Sequence, residues 1–587
     1  AVAADISGEP LGRVLSQGTV RVVSTETRFG EDWLLRLVGA AVLGVLLFLR
    51  QRRSGRVDTA SRWAALAVAV LLLASLASAG HGGATAGAAG DLHLAGDALH
   101  LIAAGFWLGT LPPLALLLAL SRRSGDARWL TVVRTAVQRY SVLAIVSVIA
   151  LLAGGILNTW FLAGTIPALV GTEYGRLLLA KIALFLAMLT VASVNLLRLT
   201  PRLAGAAAAR AAYQLRRNAL IEAALGLGVL GIVGLLGILP PGLHAEPGWP
   251  FPIRLNLAAL SIGPMIAVVV LTALAFACAV AAVAAGAAGR YRLAAVLTGT
   301  LALCAVIGWA PLRPAIERAY PTSFYAPAQP YAAPSVVSGA KVYDDNCATC
   351  HGASGKGNGP AAAGLPIRPA DLTDPHLFAH NPGDLFWWVS HGKGGAMPGF
   401  AKVLKPSRRW DAINFILARA AGDLVRQVGP KITTAADYPV PDFAFEKDGK
   451  QSTLRRILTQ GPVLLVLFAP PAPLSRLQQF AAAQPNFSTA GLQVLAVGLD
   501  TSAHETREPA PPYVVRVSSE AISTLKLFRA TNDGGETELM LDRAGNIRVR
   551  WTANIPRGPA PAETLVVDAE RVARIAAAAP THAGHMH

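Results

Sequence analysis

The chain has 587 residues, of which 53% are hydrophobic and only 15% are charged, and its mean hydropathy is +0.45. These values exclude a purely soluble protein of this size. The net charge is +17, but the Arg residues cluster in short segments between apolar runs and do not follow one soluble face. The basic charge therefore indicates membrane topology, and we expect no nucleic-acid partner.

The first 310 residues contain apolar runs of the length that crosses a membrane. A bilayer core of about 30 Å requires roughly 20 mostly apolar residues per helix. The runs that meet this requirement are Trp33–Arg50, Trp63–Ala79, Ala98–Leu120, Ser141–Ala163, Leu177–Leu197, Ala219–Leu239, Met265–Ala287 and Leu293–Ala310. The sequence predicts an all-α polytopic bundle of about eight membrane helices, followed by a water-soluble part.

The loops between these runs alternate between Arg-rich and Arg-poor. Cytoplasmic loops have the excess of Lys and Arg. The Arg-poor loops are Gly80–Leu92, Gly164–Gly175 and Pro240–Pro264, which together contain only Arg254. We therefore expect both ends of this chain, and everything after residue 310, on the outer side of the membrane. No signal peptide is visible at the alanine start.

An ordered series of motifs covers roughly residues 1–240. Its members are Thr27-Arg28-Phe29-Gly30, Trp33-Leu34-Leu35-Arg36, Gly80-His81-Gly82, Leu92-His93 through Gly109, Tyr140-Ser141 through Asn158, Thr172 through Arg176, Lys181, Asn195, and Pro201-Arg202-Leu203. The series resembles the CopD family of bacterial copper resistance and copper uptake membrane proteins. The resemblance implies a copper-handling domain in the bacterial inner membrane, with the outer side periplasmic. Two more helices usually precede this stretch in the family, so we expect that the chain lacks an N-terminal helix pair.

Several polar residues fall in the outer parts of the predicted helices or beside the outer loops. They are Arg36, Asp97, His100, Asn158 and Lys181 in the helices, and His81, His93 and Tyr174 near the loops. Polar residues inside a membrane are costly and mark functional sites. We expect these side chains to converge on one outward-facing site.

The histidines of this set suit a metal. His93 and His100 are two helical turns apart, with Asp97 between them to orient an imidazole. Imidazole binds copper well, and the family resemblance makes His81, His93 and His100 the candidate copper ligands. The alternative is that they are interfacial residues without a metal. Cys278 and Cys304 are expected to be small core residues.

The soluble part contains a Cys-x-x-Cys-His run, Cys347-Ala348-Thr349-Cys350-His351, after a predicted helix at Val336–Asn346. Two thiols at this spacing add to the heme vinyl groups, and the following imidazole binds the iron. A thioredoxin-type Cys-x-x-Cys gives no reason for the His. The run therefore predicts one covalent heme c, held by Cys347 and Cys350, with His351 as an iron ligand.

The second iron ligand is expected in the loop Gly394-Gly395-Ala396-Met397-Pro398-Gly399. Met397 is the only Met in such a rigid segment after residue 310, and a His/Met pair suits an electron carrier. Residues 336–421 resemble a small class I cytochrome c. His376, His380 and His391 are alternative ligands, although surface imidazoles are the simpler interpretation of them.

Residues 439–578 alternate strand-like and helical runs, which predicts an α/β layer. Val440-Pro441-Asp442-Phe443, the run Val463–Phe468 and Leu541 through Gly545 resemble the thioredoxin-like fold of the peroxiredoxin and SCO groups. This segment has no Cys, Ala469 through Pro473 replaces the active-site cysteines, and Glu536 stands at the cis-proline position. Thiol chemistry and an SCO-type copper site are therefore excluded, which leaves a docking role.

The predicted order of domains has six parts. They are a CopD-like membrane domain at 1–240, two further transmembrane helices at 241–312, a Pro- and Ala-rich semi-extended linker at 313–335, an all-α cytochrome c domain at 336–421, an α/β thioredoxin-like domain lacking cysteines at 439–578, and a His- and Met-containing tail at 579–587 that could bind copper loosely.

These parts predict an inner-membrane protein for copper transport or resistance, with a periplasmic heme that exchanges electrons near copper. The expected partners are copper ions, a periplasmic redox protein and the lipid bilayer. We expect no catalytic residue, since neither an electron carrier nor a metal transporter needs a bond-making active site. Two alternatives stay open: a membrane-anchored cytochrome c electron-transfer subunit, and an assembly factor for a copper oxidase.

Overall fold

The computed structural model describes residues 19–52, 59–79, 87–124, 127–205, 207–287, 289–434, 437–469, 473–500, 513–529, 535–552 and 560–575. His81 and the tail at 579–587 lie outside the described residues. The chain divides into two compact units, Ala1–Pro247 and Gly248–His587.

The first unit is a bundle of helices. Those described are α1 (Thr19–Glu26), α2 (Arg28–Arg52), α3 (Thr59–Ser75), α4 (Gly87–Ser124), α5 (Ala127–Leu162), α6 (Ile166–Gly171), α7 (Glu173–Val194) and α8 (Ala208–Leu236). The α7 helix continues through a π-helical turn, Asn195–Leu199, into Thr200–Arg202. All but the short α1 and α6 are long and apolar enough to cross a membrane.

Helices α4 and α8 pack closely in this bundle. A Cβ at Gly226 of α8 would collide with the side chain of Leu108 on α4. Small residues permit this close approach, which is how membrane helices gain packing energy without a hydrophobic driving force. Trp107, Leu111 and Leu118 of α4 are completely buried. The long helix α4 is therefore the centre of the first unit.

The second unit begins with a membrane hairpin. It consists of α9 (Ile262–Ala287) and α10 (Tyr291–Leu312), and it is flanked by the strands β1 (Ile253–Leu255) and β2 (Ile316–Arg318). The two strands pair antiparallel and tie the two ends of the hairpin together. With α9 and α10, the described residues contain eight candidate membrane helices, and each overlaps one predicted apolar run.

The cytochrome region is helical, as predicted. Its helices are α11 (Ala333–Asn346), α12 (Ala348–His351), α13 (Pro382–His391) and α14 (Pro406–Leu424). The helices α11 and α14 cross at Gly339, where a Cβ would collide with the carbonyl oxygen of Asp411. Beside this crossing, Tyr343 packs on Phe415 with ring centroids 5.2 Å apart. The crossing fixes the helix that leads into the Cys-x-x-Cys-His run.

The last region has the predicted α/β architecture. Its helices are α15 (Leu454–Leu458), α16 (Leu474–Ala482), α17 (Gln484–Thr489), α18 (Ser519–Leu525) and α19 (Ala562–Ala573), and its strands are β3 (Ala444–Lys447), β4 (Lys450–Thr453), β5 (Val463–Phe468), β6 (Gln493–Gly498), β7 (Arg516–Val517), β8 (Thr537–Leu541) and β9 (Ile547–Thr552). The main sheet has the order β6-β5-β8-β9. The β5–β6 pair is parallel, and β8 is antiparallel to both β5 and β9, as in the thioredoxin fold. A second, small sheet has the order β4-β3-β7, and the residues just before β7 are hydrogen-bonded to Ala496 of β6.

The cytochrome region and the α/β region share one hydrophobic core. Leu424 and Val425, at the end of α14, belong to the same buried cluster as Leu525 and Phe528 of the α/β region. The backbone N–H of Ala333, at the start of α11, donates to the carbonyl oxygen of Asp442 at 2.8 Å. Because buried contacts are continuous across this boundary, the two regions form one body within the second unit.

The segment 313–335, expected to be a semi-extended spacer, is instead packed against the cytochrome region. Thr322 and Ser323 are buried, and the Thr322 hydroxyl donates to the Gly383 carbonyl oxygen at 2.6 Å. Tyr320 stacks on Trp387 at 5.9 Å between centroids. The Pro-rich composition favours an extended backbone, but it does not show that hydroxyl and aromatic side chains have partners in the next domain.

One arginine links the hairpin strands to the cytochrome. Arg254 of β1 donates from Nη1 to Asp384 of α13 at 2.6 Å, and from Nε and Nη2 to Glu317 of β2 at 3.0 and 2.8 Å. Asp384 also accepts a short hydrogen bond from Ser323. Arg254 and Asp384 are 6% and 2% exposed. The buried charges are thus fully paired, which is the condition under which burial is tolerated.

Candidate functional site

The Cys-x-x-Cys-His run forms one tight helical turn at the end of α11. The Cys347 N–H donates to the Tyr343 carbonyl oxygen at 2.8 Å, and the single turn α12 then ends at His351. Cys347 and Cys350 are half-buried and form no disulfide. Burial, together with Cys350, raises the pKa of the Cys347 thiol to about 11. Cys347 is thus held as a thiol, and both sulfurs lie on one turn, as covalent attachment of heme requires.

The ring of His351 is oriented by the backbone. Its Nδ1 lies 3.0 Å from the carbonyl oxygen of Ala370. Since a carbonyl only accepts, Nδ1 holds the hydrogen, and Nε2 keeps its lone pair for a metal. A backbone acceptor on the second ring nitrogen is the usual way in which a metal-binding histidine is fixed.

Two glycines allow the loop that follows this turn to pack closely against it. Gly352 has a φ of +79°, and a Cβ there would collide with the Asn358 side chain. A Cβ at Gly359 would collide with the carbonyl oxygen of Thr349. Only glycine permits both the left-handed backbone and this close approach. The predicted Gly-rich loop therefore supports the Cys-x-x-Cys-His turn from behind.

Met397 lies in a tightly closed loop, as predicted. Backbone hydrogen bonds of 3.2 Å join Lys393 and Met397 in both directions. Gly392, Gly394 and Gly395 all have positive φ values, which permit the sharp turn. The residue types that hold heme in a class I cytochrome c therefore lie in ordered turns: two thiols on one turn, an imidazole fixed by a backbone carbonyl and a thioether in a rigid loop. That they bind one heme together stays a prediction.

The three alternative histidines have other neighbours. His391 stacks on Trp387 with centroids 3.7 Å apart, and the His376 and His380 rings are 4.5 Å apart. Burial, then the His376 and Lys393 charges, lower the pKa of His380. The assignment of Met397 as the second ligand stays a prediction, and it is favoured by the loop geometry.

The α/β region has an ion pair near the place of a thioredoxin active site. Arg476, in the first turn of α16, forms a bidentate pair with Glu538 of β8, at 2.6 Å from Nε and 2.9 Å from Nη2. Arg476 also donates to the Ala560 carbonyl oxygen at 2.7 Å. Both side chains are buried. With no Cys in residues 439–578, the region supplies a structural ion pair and no redox thiol.

The first unit brings together most of the predicted polar side chains. The Asn158 side-chain amide of α5 donates to Asp97 of α4 at 2.9 Å. His100 lies within electrostatic reach of Asp97 and Lys181, and Tyr174 within reach of Asp97. We call Asp97, His100, Asn158, Tyr174 and Lys181 the outer cluster.

Two residues predicted to join this site, His93 and Arg36, contact other residues instead. His93 is 3% exposed and stacks on Phe161 with ring centroids 4.5 Å apart. Arg36 of α2 instead donates to the Ser75 carbonyl oxygen at 2.5 Å and lies 3.8 Å from Asp32. The described residues contain no group of three or more His, Cys, Asp or Glu side chains placed to hold a metal ion. Since His81 is outside them, the three-histidine copper site stays a prediction.

Sequence reasoning missed a second polar cluster. Glu222 of α8 is buried together with Asn218, and the amide of Asn195 donates to its Oε1 at 2.7 Å. The signal was present, because Glu222 is a carboxylate inside the apolar run Ala219–Leu239. It was overlooked because only residues on the outer side were considered.

Three family models match the chain. "Copper resistance protein D-like, N-terminal domain" matches residues 1–91, "Copper resistance protein D" matches residues 134–236, and "Cytochrome C oxidase, cbb3-type, subunit III" matches residues 334–416.

The similar proteins are of two kinds, copper-related membrane proteins and cytochromes, as are the family models. Copper resistance protein D of Pseudomonas syringae pv. tomato is 33% identical over 229 residues, which are 38% of this chain and 71% of that protein. Inner membrane protein YebZ of Escherichia coli K12 is 32% identical over 216 residues, 37% of this chain and 70% of that protein. Cytochrome c6 of a Nostoc species is 31% identical over 99 residues, 17% of this chain and 84% of that protein. This chain therefore belongs to the copper resistance protein D family, and it contains a cytochrome c domain in the same polypeptide.

Proposed function

We propose that the protein moves or detoxifies copper in the bacterial inner membrane and uses a covalently bound periplasmic heme as a one-electron partner of copper. The observation behind this proposal is a complete cytochrome donor set in a chain whose first unit belongs to a copper resistance family. Copper changes readily between Cu(I) and Cu(II), and its ligand preference changes with it. A redox centre in the same polypeptide could therefore change the oxidation state of copper, a use that it would not have if the membrane domain served only as an anchor.

Each residue of the site has a defined task. Cys347 and Cys350 would hold the heme by thioether bonds, and His351 and Met397 would bind its iron. When bound, the heme supplies one-electron exchange: Cu(I) becomes Cu(II) as ferric iron becomes ferrous, or the reverse. The carbonyl oxygen of Ala370 keeps the imidazole in the correct tautomer. Two protein ligands leave no open position for oxygen, which confines the site to electron transfer.

The copper site is proposed in the first unit. His93 and His100 lie on α4, as does Asp97, which the Asn158 amide holds in place. Together with His81, they would give copper two or three imidazoles on the side of the membrane where the cytochrome is proposed to lie. That side is proposed to be periplasmic, because the Arg-rich loops lie at the opposite ends of the helices.

The test is anaerobic copper and heme analysis of the purified full chain. We expect one heme that survives acid and organic extraction, and its loss in a variant with both Cys347→Ala and Cys350→Ala. Replacing His81, His93 and His100 together by Ala should remove copper and leave the heme. His391→Ala, a matched change in the cytochrome domain, should leave both. If the triple variant binds copper at wild-type stoichiometry, the membrane-anchored electron carrier becomes the better account.

A further inference from the structure

The polar cluster that contains Glu222 lies deep in the first unit and is built around one carboxylate. Glu222 of α8 is 1% exposed. The Asn195 Nδ2 donates to Glu222 Oε1 at 2.7 Å, and the Asn218 Nδ2 donates to Asn195 Oδ1 at 2.7 Å. This chain of amides fixes the direction of the Asn195 donor, so one carboxyl oxygen of Glu222 is held in a defined place.

The helix that supplies Asn195 is irregular at that residue. Asn195 begins the π-helical turn Asn195–Leu199 inside an otherwise α-helical span. The Thr200 hydroxyl donates to the Asn195 carbonyl oxygen at 2.9 Å, so this side chain satisfies part of the widened turn. Single π-helical turns inside helices occur frequently at functional sites. Here the turn coincides with the residue that holds the buried carboxyl group.

The other side of Glu222 faces groups without partners. Glu222 Oε2, Tyr140 Oη and Trp107 Nε1 are all buried, and none of these three atoms has a partner in full hydrogen-bond geometry, although the Trp107 N–H is the donor that lies close to both Glu222 and Tyr140. Trp107 of α4 and Tyr140 of α5 are both close to Glu222. Glu222 and Tyr140 line a cavity of about 160 Å³, whose other polar lining residues are Ser141, Ser193, Asn195 and Thr200. One carboxyl oxygen is therefore held by an amide, and the other is available to a ligand.

The ligand chemistry follows from the groups present. Among the described residues no ion pair involves Glu222. The groups close to it are Trp107 of α4, Tyr140 of α5 and Asn195, with Asn218 four residues away on its own helix α8, and of these four only Tyr140 is titratable. A carboxylate without a cation in a membrane interior is strongly disfavoured, and one proton neutralises it. Most of the cavity lining is apolar, and its few polar groups are hydroxyl, amide and carboxyl groups, which do not suit Cu(I) because Cu(I) prefers sulfur and imidazole.

We propose that Glu222 is a proton-binding site of the membrane unit, in which Asn195 holds one carboxyl oxygen and the cavity beside Tyr140 admits the proton to the other. The carboxylate takes up one proton to become a carboxylic acid and releases it again. The hydroxyl so formed is a donor, and the neighbouring Tyr140 oxygen is an acceptor without a partner.

The site is separate from the outer cluster. Along α4, Trp107 lies seven residues beyond His100, or about 10 Å at 1.5 Å per residue. Along α7, Asn195 lies fourteen residues beyond Lys181, or about 21 Å. Glu222 of α8, which meets Asn195 and lies close to Trp107, is therefore at a different depth in the bundle from the outer cluster. If copper passes through the outer cluster, which rests on the proposed function, a proton site at this depth would link copper movement to the pH difference across the membrane.

Infrared difference spectroscopy of the full chain in lipid nanodiscs tests the proton site. Between two pH values, the wild type should show a carboxylic acid C=O band that shifts in deuterated buffer and is absent in Glu222→Gln. Glu173→Gln, the same change at an exposed residue of α7, should keep the band. If Glu222→Gln does not fold, Asn195→Ala should instead shift the band, because the acid loses a donor. An unchanged spectrum in both variants would overturn the proposal.

The link to copper has its own measurement. In proteoliposomes that contain a pH-sensitive dye, copper movement by the wild type and Glu173→Gln should be accompanied by proton movement, and Glu222→Gln should reduce that proton flux at least tenfold. Copper movement without protons in the wild type would overturn the link. If the wild type moves no copper, the proposed function fails, while the infrared band still decides the proton site.

Discussion

At the scale of single residues, Arg254 is the charged side chain whose removal we expect to lower the free energy of unfolding most clearly. It is buried with Asp384, and it joins the membrane hairpin to the cytochrome region. Attraction between two buried charges does little more than offset their loss of hydration, but removal of one partner leaves the other charge buried alone. The intact pair therefore contributes little net stability, but loss of one partner would leave the other charge buried and unpaired, at a large cost in the free energy of unfolding.

We expect Arg254→Gln to lower the free energy of unfolding by about 3–5 kcal/mol, because Asp384 would keep only the Ser323 hydroxyl as a partner. Denaturant unfolding of the full chain, followed by heme absorbance, measures this. The matched control is Lys341→Gln, which breaks the exposed pair with Asp345, whose members are 74% and 57% exposed. That change should cost less than about 1 kcal/mol. Equal effects of the two changes would show that the Arg254 pair is not buried in solution.

The half-buried His380 predicts a loss of stability in acid. Burial and the charges of His376 and Lys393 lower its folded-state pKa below the unfolded value of about 6.5. A lowered histidine pKa gives stability that is present above pH 6.5 and lost as the pH falls from there towards the folded pKa. The melting temperature of the wild type should drop between pH 7.5 and 5.5, and His380→Gln should show a smaller drop. Equal drops in the two proteins would contradict this role.

At the scale of elements, individual helices and strands could be predicted from local sequence patterns, but contacts between residues far apart in the sequence could not. The strand predicted at Val463–Phe468 and the helix predicted at Val336–Asn346 are present, and both could be predicted because a short apolar run and the length of a segment are local properties of the sequence. The Cys-x-x-Cys-His turn was equally clear, since its five residues are contiguous. By contrast, Arg254 meets Asp384 across 130 residues, and Glu222 meets Asn195 across 27. Neither pair leaves a periodic or contiguous signal, so only the fold reveals them.

The crossing of α11 and α14 gives a prediction at this scale. Gly339→Ala should destabilise the cytochrome region by about 1–3 kcal/mol, because its Cβ would meet the Asp411 carbonyl oxygen and the Phe415 Cβ. Gly364→Ala is the control, since no atom lies within 4 Å of the added Cβ. Denaturant titration with heme absorbance measures both variants. Similar midpoints for the two would mean that the helices separate at no cost.

At the scale of the whole molecule, the cytochrome and α/β regions behave as one body. Leu424 and Val425 are buried among residues of the α/β region, and Gly422 lies against the Leu527 backbone. A domain without cysteines thus has a structural task here, because it covers one face of the cytochrome helix α14. The expectation of a separate docking domain did not include this shared core, since two adjacent domains give no sequence signal of their interface.

This shared core predicts a single unfolding transition. Calorimetry of the wild type should show the cytochrome and α/β regions melting together, because unfolding of either exposes the buried surface of the other. Gly422→Val should divide this transition in two, since its side chain would collide with the Leu527 carbonyl oxygen. The matched change Gly429→Val, where no atom lies within 4 Å of the added Cβ, should keep one transition. Two transitions in the wild type would show that the regions are independent.

The packed segment 313–335 also determines how far the heme can travel. A flexible chain of about 23 residues has an average end-to-end distance of about 25 Å, and a cytochrome on such a tether would sweep the membrane surface in search of a donor. Because Tyr320, Thr322 and Ser323 are fixed on the cytochrome, this search is abolished. The separation between the heme and the hairpin α9–α10 is set when the chain folds. A heme on the Cys-x-x-Cys-His turn would then exchange electrons with a partner that is built in at a fixed distance or that diffuses to it.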